Sequence, residues 1–287
     1  MKTIAVTGGS GASGRVVCEH LIALGYSVVN LDRVFVRGHP ASFREVDLER
    51  YGDVLSAMMG CDAVVHFAAH PEPDFDLHTG AQRFTNNTVS CFNVFNAAVA
   101  LGLSRVVWAS SETVHGFPYF TNTPAHFPVT EETPVQPQNA YAISKVLCEE
   151  LAEHVCRLNA GISIVGLRLS NVLYEANHRD LYSKIPGYWD DFKSRKFNLW
   201  NYIDARDVAR SVELSLVADL AGANVYNITA PDTIMRQDTR DLIAAEFPDV
   251  EVQSELAGRT SPVSADKARR DLGWVAQYTW QDVIDER

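Results

Sequence analysis

The stretch Thr7-Gly8-Gly9-Ser10-Gly11-Ala12-Ser13-Gly14 limits what this chain can fold into more than any other. An apolar run at 2–7 precedes it. An amphipathic helical pattern at 14–24 follows and stops at Gly25. Between a strand and a helix, glycines at 8, 11 and 14 have separate tasks. One permits the tight turn, one lets a ligand approach the backbone with no Cβ in the way, and one lets the helix pack close to the strand. The first helical N–H groups then point out of the turn, where the helix dipole favours an anion. The expected ligand is a dinucleotide held by its pyrophosphate, and Gly8, Gly11, Ser13 and Gly14 are its expected contacts.

The same alternation runs on. Apolar strands are expected at 27–31, 43–46, 63–68, 105–109 and 162–167, with helices at 81–101 and 139–159. Strands apolar on both faces and separated by helices imply a parallel sheet covered on both sides. Right-handed crossovers make it a doubly wound α/β sheet of the Rossmann type. Beyond about residue 173 the pattern loosens. Helices at 207–218, 236–247 and 265–272 and a short strand at 225–228 suit a smaller C-terminal lobe. The expected division is 1–170 for dinucleotide binding and 171–287 mainly for a substrate lobe, with segments returning to the sheet. The loop at 116–138 is long, Pro-rich and aromatic, which inside a domain marks a functional or mobile segment.

Composition excludes several partners. A formal charge of −11 over 287 residues repels phosphate backbones, and no Lys/Arg run suits an anionic membrane. The five cysteines are scattered without a C-x-x-C pair, as expected of free thiols in a reducing compartment. His66 and His70 straddle a strand end, so their spacing gives no shared face, and no metal site is expected. The chain opens directly into a strand and has no long apolar run, so the expected location is the cytoplasm.

Asp32 closes the second strand, where a carboxylate accepts the adenosine ribose hydroxyls and repels a 2′-phosphate. NAD is therefore expected over NADP, although Arg33 beside it is able to contact a phosphate. Asp47-Leu48 follows the third strand; an acid there either meets the adenine amino group or caps a helix. Tyr141 and Lys145 are four apart at the start of a long helix and so share a face. Tyrosine is a poor base at its reference pKa of about 10. A nearby ammonium and a positive nicotinamide both favour the phenolate, which general acid–base work requires. Lys145 is also placed to hold the nicotinamide ribose. The fifth strand runs into Ser110-Ser111, at the sheet edge where ligands collect in open α/β folds. Ser111 is the expected partner of the reacting oxygen, with Ser110 its neighbouring alternative.

Together these residues resemble the extended short-chain dehydrogenases, the NAD-dependent sugar epimerase/dehydratase group, over almost the whole chain. The 7–14 segment matches T-G-x-x-G-x-x-G. His66-Phe67-Ala68-Ala69 is similar to the H-x-A-A strand end that passes under the cofactor. Asn87 through Asn93 is similar to N-x-x-G-T-x-N, with Ser90 and Cys91 replacing Gly-Thr. Residues 110–116 resemble S-S-x-x-V-Y-G, with His115 in place of Tyr, and Tyr141 and Lys145 match Y-x-x-x-K. Arg168 through Val172 resembles L-R-x-x-N-V, which opens the substrate lobe. Residues 202–209 resemble V-D-V-x-D-V-A, and 267–274 resemble K-A-x-x-x-L-G-W.

The resemblance implies cofactor contacts from Phe67, Ala68, Ala69 and Asn87, substrate contacts from Ser111 and Asn171, and catalysis by Ser111, Tyr141 and Lys145. It implies hydride chemistry with NAD on a sugar or nucleotide-sugar hydroxyl, in a homodimer built from the helix before the fifth strand and the helix carrying Tyr141. Dehydratases follow the Ser/Thr with Asp-Glu, whereas Glu112-Thr113 stands here, which argues against a full sugar dehydratase. The stretch between Asn171 and Tyr202 is short for the group, suggesting a smaller substrate or a truncated nucleotide grip. Residues 111–117 and Asn198-Leu199-Trp200 resemble uronate dehydrogenases, so oxidation of a free sugar acid is the alternative. His178, Arg179, Tyr182 and Lys184 are candidates for holding a carboxylate or phosphate, or else a solvated surface. A non-catalytic dinucleotide sensor is the competing class, and Ser111, Tyr141 and Lys145 together count against it.

Overall fold

The computed structural model describes residues 2–71, 76–174 and 181–284. Its first strand, β1 (Thr3–Thr7), is buried along nearly its whole length because it pairs on both edges. On one edge lies β2 (Ser27–Asp32), itself paired with β3 (Ser42–Glu45). On the other lies β4 (Ala63–His66), followed outward by β5 (Arg105–Ser111), β6 (Ser163–Leu169) and β9 (Gly222–Ile228). All seven strands are parallel, in the order β3-β2-β1-β4-β5-β6-β9. The order reverses between β1 and β4, which opens a crevice beyond the carboxyl ends of those strands.

Helices cover both faces. On one, α1 (Ala12–Ala23) packs against α5 (Ala205–Val217). On the other lie α2 (Tyr51–Met58), α3 (Leu77–Ala100) and α4 (Ala140–Leu158). Each face has its own apolar core, Val6, Val17, Leu21, Val107 and Val212 on one and Ala5, Val94, Phe95, Val106 and Ile164 on the other. Sequence periodicity did not reveal α2, which has only two turns and begins Tyr51-Gly52. The start of α3 lies upstream of residue 81, because Asp76 caps it by accepting from the N–H groups of His78 (3.1 Å) and Thr79 (2.8 Å).

A third core, built from Phe117, Phe127, Trp200, Phe247 and Trp280, fills the lobe beside the carboxyl ends of the strands. Two strands, β7 (Val172–Leu173) and β8 (Ile203–Asp204), pair within it. Helices α6 (Thr239–Glu246), α7 (Asp266–Leu272) and α8 (Trp280–Ile284) complete the chain. The strand read at 225–228 is longer and belongs to the main sheet, as β9. Asp207 ties the C-terminal segment to α5. Its buried carboxylate accepts from the backbone N–H groups of Gln277 and Tyr278, and its carbonyl accepts from Trp274 Nε1 at 3.0 Å. Among the described residues no helix is long and apolar enough to cross a membrane. All five cysteines are buried and free.

Candidate active site

One cavity of about 950 Å³ runs along the carboxyl ends of the central strands, from the glycine turn to the lobe. The turn has its shape because of its glycines. Gly8 has φ +70°, and a Cβ there would meet the Ala68 backbone nitrogen at 2.6 Å. A Cβ on Gly14 would stand 2.1 Å from the Gly8 carbonyl oxygen, so this residue sets how closely α1 approaches β1. Gly11 lines the cavity and has only the Gly8 oxygen near its Cβ position, at 3.2 Å. No side chain caps the N-terminus of α1, so its first N–H groups face the cavity free to bind phosphate oxygens. Such a cradle, open on the ligand side and closed to a Cβ behind, fits a dinucleotide pyrophosphate.

At the next strand end, Asp32 is fixed rather than free. Its Oδ2 accepts from the Ser10 N–H at 3.1 Å and its Oδ1 from the Val34 N–H at 3.0 Å, and the residue lines the cavity. Arg33 is engaged by two carboxylates, Asp47 and Glu49 (3.0 Å), and Asn86 donates to Glu49 at 2.9 Å. Asp47 is turned toward Arg33. It does not line the cavity, and its carboxylate is committed to Arg33 and to the Glu49 N–H. Val46 and Leu48, on either side, do line it. Asn87 also lies outside the lining. It is buried, accepts from the His70 N–H at 2.9 Å and faces Ser144, whereas Asn86 and Ser90 on the neighbouring helix face border the cavity.

Phe67, Ala68 and Ala69 pass along the cavity floor. They are held there by Thr7, whose hydroxyl bonds His66 Nδ1 at 2.7 Å and accepts from the Ala68 N–H. Burial, reinforced by the charge of Lys145, pushes the His66 imidazole down to about 3, so it stays neutral.

Further along, the cavity is lined from β5 and α4. Asn139 caps α4 by accepting from the Ala142 N–H at 2.9 Å, which places Tyr141 in the first turn and Lys145 one turn on. Both line the cavity and both are largely buried, 7% and 5% exposed. The Lys145 ammonium donates to the Ala109 carbonyl at 2.7 Å and lies 5.4 Å from the Tyr141 ring centre. Ser111 ends β5, and its oxygen accepts from both the N–H (3.2 Å) and the hydroxyl (3.0 Å) of Thr113. A hydroxyl has two acceptor sites and one proton, so Ser111 has its proton left to offer a ligand. The Ser110 hydroxyl is spent on Glu149, at 2.6 Å, and Glu149 is paired with buried Arg168.

Beyond Ser111 the wall belongs to residues the motifs did not assign. Glu112 lines the cavity and is 8% exposed. It takes hydrogen bonds from Ser170, Asn201 and the Asn171 backbone, and burial pushes its carboxyl up to about 8. Arg195 and Asn198 come from a 3-10 turn, Phe192–Asn198, in the lobe. Asn171 also lines this end, with its carbonyl accepting from the Ile203 N–H. Tyr174 reaches from the lobe to bond the Ser13 hydroxyl across the cradle. Of the candidate anion binders, Tyr182 is buried and donates to Asp204, and Lys184 is exposed away from the cavity. His178 and Arg179 lie outside the described residues. No group of His, Cys, Asp and Glu side chains among the described residues is arranged to hold a metal ion.

Comparison with known proteins agrees with this architecture. The family model described as "NAD dependent epimerase/dehydratase family" matches residues 4–238. The chain is 27% identical to a UDP-glucose 4-epimerase of Lacticaseibacillus casei, over 99% of this chain and 95% of that protein. Among solved structures it superposes with a TM-score of 0.75 on a short-chain dehydrogenase/reductase superfamily protein of Agrobacterium tumefaciens with bound NAD, at 24% identity, covering 99% of this chain and 95% of that one. It reaches the same score against a UDP-glucose 4-epimerase of Bifidobacterium longum in complex with NAD+ and UDP, at 23% identity, covering 98% and 95%. The chain belongs to the NAD-dependent epimerase/dehydratase family, enzymes that work with NAD.

Proposed function

We propose that the chain acts on a hydroxyl of a sugar or nucleotide-sugar, with Tyr141 as general base, Ser111 orienting the reacting oxygen and Lys145 holding the cofactor ribose. The supporting observation is that these three side chains share one cavity with the glycine cradle and Asp32. NAD fits that cavity by its pyrophosphate over the N-terminus of α1 and its adenosine ribose at Asp32. When bound, it supplies the acceptor for the hydrogen that leaves the substrate carbon. Tyr141 takes the hydroxyl proton in the same step. The Lys145 ammonium stabilises negative charge on the phenol oxygen, and the spare Ser111 proton bonds the substrate oxygen as it becomes a carbonyl.

Relatives with which the chain aligns over most of their length include UDP-glucose 4-epimerases, which favours an epimerase using a nucleotide-sugar. A panel of free sugars, sugar acids and nucleotide-sugars, followed for NADH and for product stereochemistry, tests this reading. Inverted product without NADH supports the epimerase. Accumulating NADH supports a dehydrogenase, and no turnover of any sugar contradicts both.

A homodimer through α3 and α4 belongs to the same proposal. The two helices pack side by side and leave Phe92, Ile143 and Leu147 exposed on their outer faces. We place it in the cytoplasm, where free cysteines such as these five persist.

A further inference from the structure

Arg195 is a half-buried guanidinium on the cavity wall, and no hydrogen-bond acceptor or carboxylate partner engages its side chain among the described residues. Its Nε is fully buried and unpaired. Two rings hold it, Tyr188 at 5.1 Å and Phe197 at 5.0 Å from the guanidinium carbon. The turn that presents it is a constructed feature. It ends in two successive non-glycine residues in the left-handed region, Leu199 (φ 55°) and Trp200 (φ 56°), a conformation that persists only when its surroundings enforce it. Trp200 Nε1 donates to the Phe192 carbonyl at 2.6 Å and Asn198 Nδ2 to the Asn201 carbonyl at 2.9 Å, which locks the turn.

Facing Arg195, and next in sequence to Ser111, is Glu112. It makes no ion pair with Arg195, and burial keeps it protonated at neutral pH despite the opposing pull of that guanidinium. A free cation and an uncharged carboxyl thus stand together beside the reacting hydroxyl's anchor.

We infer that Arg195 reads an anionic group carried on the substrate sugar itself, a carboxylate or a phosphoryl group, with the Glu112 carboxyl donating a hydrogen bond beside it. This rests on the reading of the cavity as a sugar site and names the class of sugar. A neutral sugar would leave the Arg195 charge with no counter-group. A nucleotide-sugar whose only charge is its diphosphate is the competing ligand, which the UDP-glucose arm of the test below separates.

The pH dependence has a definite sign. Glu112 titrates near 8, so raising the pH converts it to a carboxylate that offsets Arg195 and repels the ligand. The other charged or titratable groups around it are Arg195 and, behind it, Tyr119, whose phenol burial pushes up out of this range; Tyr141 and Lys145 line the same cavity.

The test is calorimetric binding of glucuronate, glucose 6-phosphate, glucose and UDP-glucose to the NAD-loaded full chain. A sugar anion is expected to bind the wild type, to weaken about 10- to 100-fold in Arg195→Met, and to recover partly in Arg195→Lys. NAD affinity should be unchanged in both variants, which reports that they fold. Wild-type affinity for the sugar anion should fall about tenfold from pH 7 to pH 9 and stay flat in Glu112→Gln. The carboxylate and phosphate arms identify which anion is read. Failure of both sugar anions to bind, a Kd within about twofold of wild type in Arg195→Met, or a loss confined to UDP-glucose would overturn the inference. Tyr141→Phe separates it from the broader reading. If that variant turns over normally while Arg195→Met still loses the anion, the subsite stands and the catalytic assignment falls.

Discussion

At the cradle end the cavity is shaped by main chain: the turn at 8–14, the N–H groups at the start of α1, and the Phe67-Ala68-Ala69 segment that a Cβ on Gly8 would strike. At the substrate end it is side chain: Ser111, Glu112, Arg195 and Asn198, brought together from β5 and from a 3-10 turn in the lobe. The difference teaches how each end can change. A backbone cradle binds what every dinucleotide shares, and any Cβ added to its tightest positions collides with main chain. A side-chain wall can be rewritten one residue at a time without moving the sheet. Tyr141 and Lys145 stand at the join, on a helix that is itself fixed to the sheet.

The largest effect is expected at that join. Tyr141→Phe should lower kcat by about 10²- to 10⁴-fold with NAD affinity retained. Near-wild-type turnover of the true substrate would remove Tyr141 from the mechanism. Gly14→Ala tests the main-chain end. Its Cβ would lie 2.1 Å from a backbone oxygen, so NAD affinity should fall about tenfold or more and Tm should drop. Unchanged NAD binding would show that the cradle is less rigid than its geometry implies.

A smaller shift is expected from the double variant Asp47→Asn, Glu49→Gln, which releases Arg33 from its two carboxylates. Relative preference for NADP should rise, by about three- to tenfold, because a freed guanidinium beside the ribose site can meet a 2′-phosphate. If kinetics with the two cofactors keep the wild-type ratio, Asp32 alone sets the choice.

The smallest effect is on stability. The folded chain keeps the Glu112 proton up to about pH 8, while an ordinary glutamate releases it near 4.5. Stability from this group is therefore fully present below about pH 4.5 and is lost as the pH rises through 8. Glu112→Gln should raise stability at pH 7, by about 1–3 kcal/mol, and flatten the fall of Tm across that window. A Tm–pH curve identical to wild type would mean that Glu112 is not a buried neutral acid.

The two ends also differed in how legible they were. Backbone demands leave glycines at fixed spacing, so the turn at 8–14 is legible in the sequence, as is the parallel sheet; Asp32, Tyr141 and Lys145 line the same cavity as that turn. Asp47 and Asn87 lie on segments that border the cavity but are not themselves in its lining; one step along a helix turns a side chain by about 100°, which is enough to separate Asn87 from Asn86. Leu48, expected together with Asp47, does line the cavity, as do Val46, Asn86 and Ser90, which the motifs did not single out. Arg195 left no pattern, because a turn held by Trp200 and two rings around a guanidinium has no periodicity. Glu112 is visible in the sequence only as a departure from the dehydratase pair; its hydrogen-bond partners, Ser170, Asn171 and Asn201, are distant in sequence.

One cavity holds both the glycine cradle and the three proposed reacting residues. A crystal structure of the full chain with NAD measures this directly. It should place the pyrophosphate over Gly11 to Ser13 and the nicotinamide against Tyr141, Lys145 and Ser111. A nicotinamide ordered elsewhere, with the lobe closed, would contradict it.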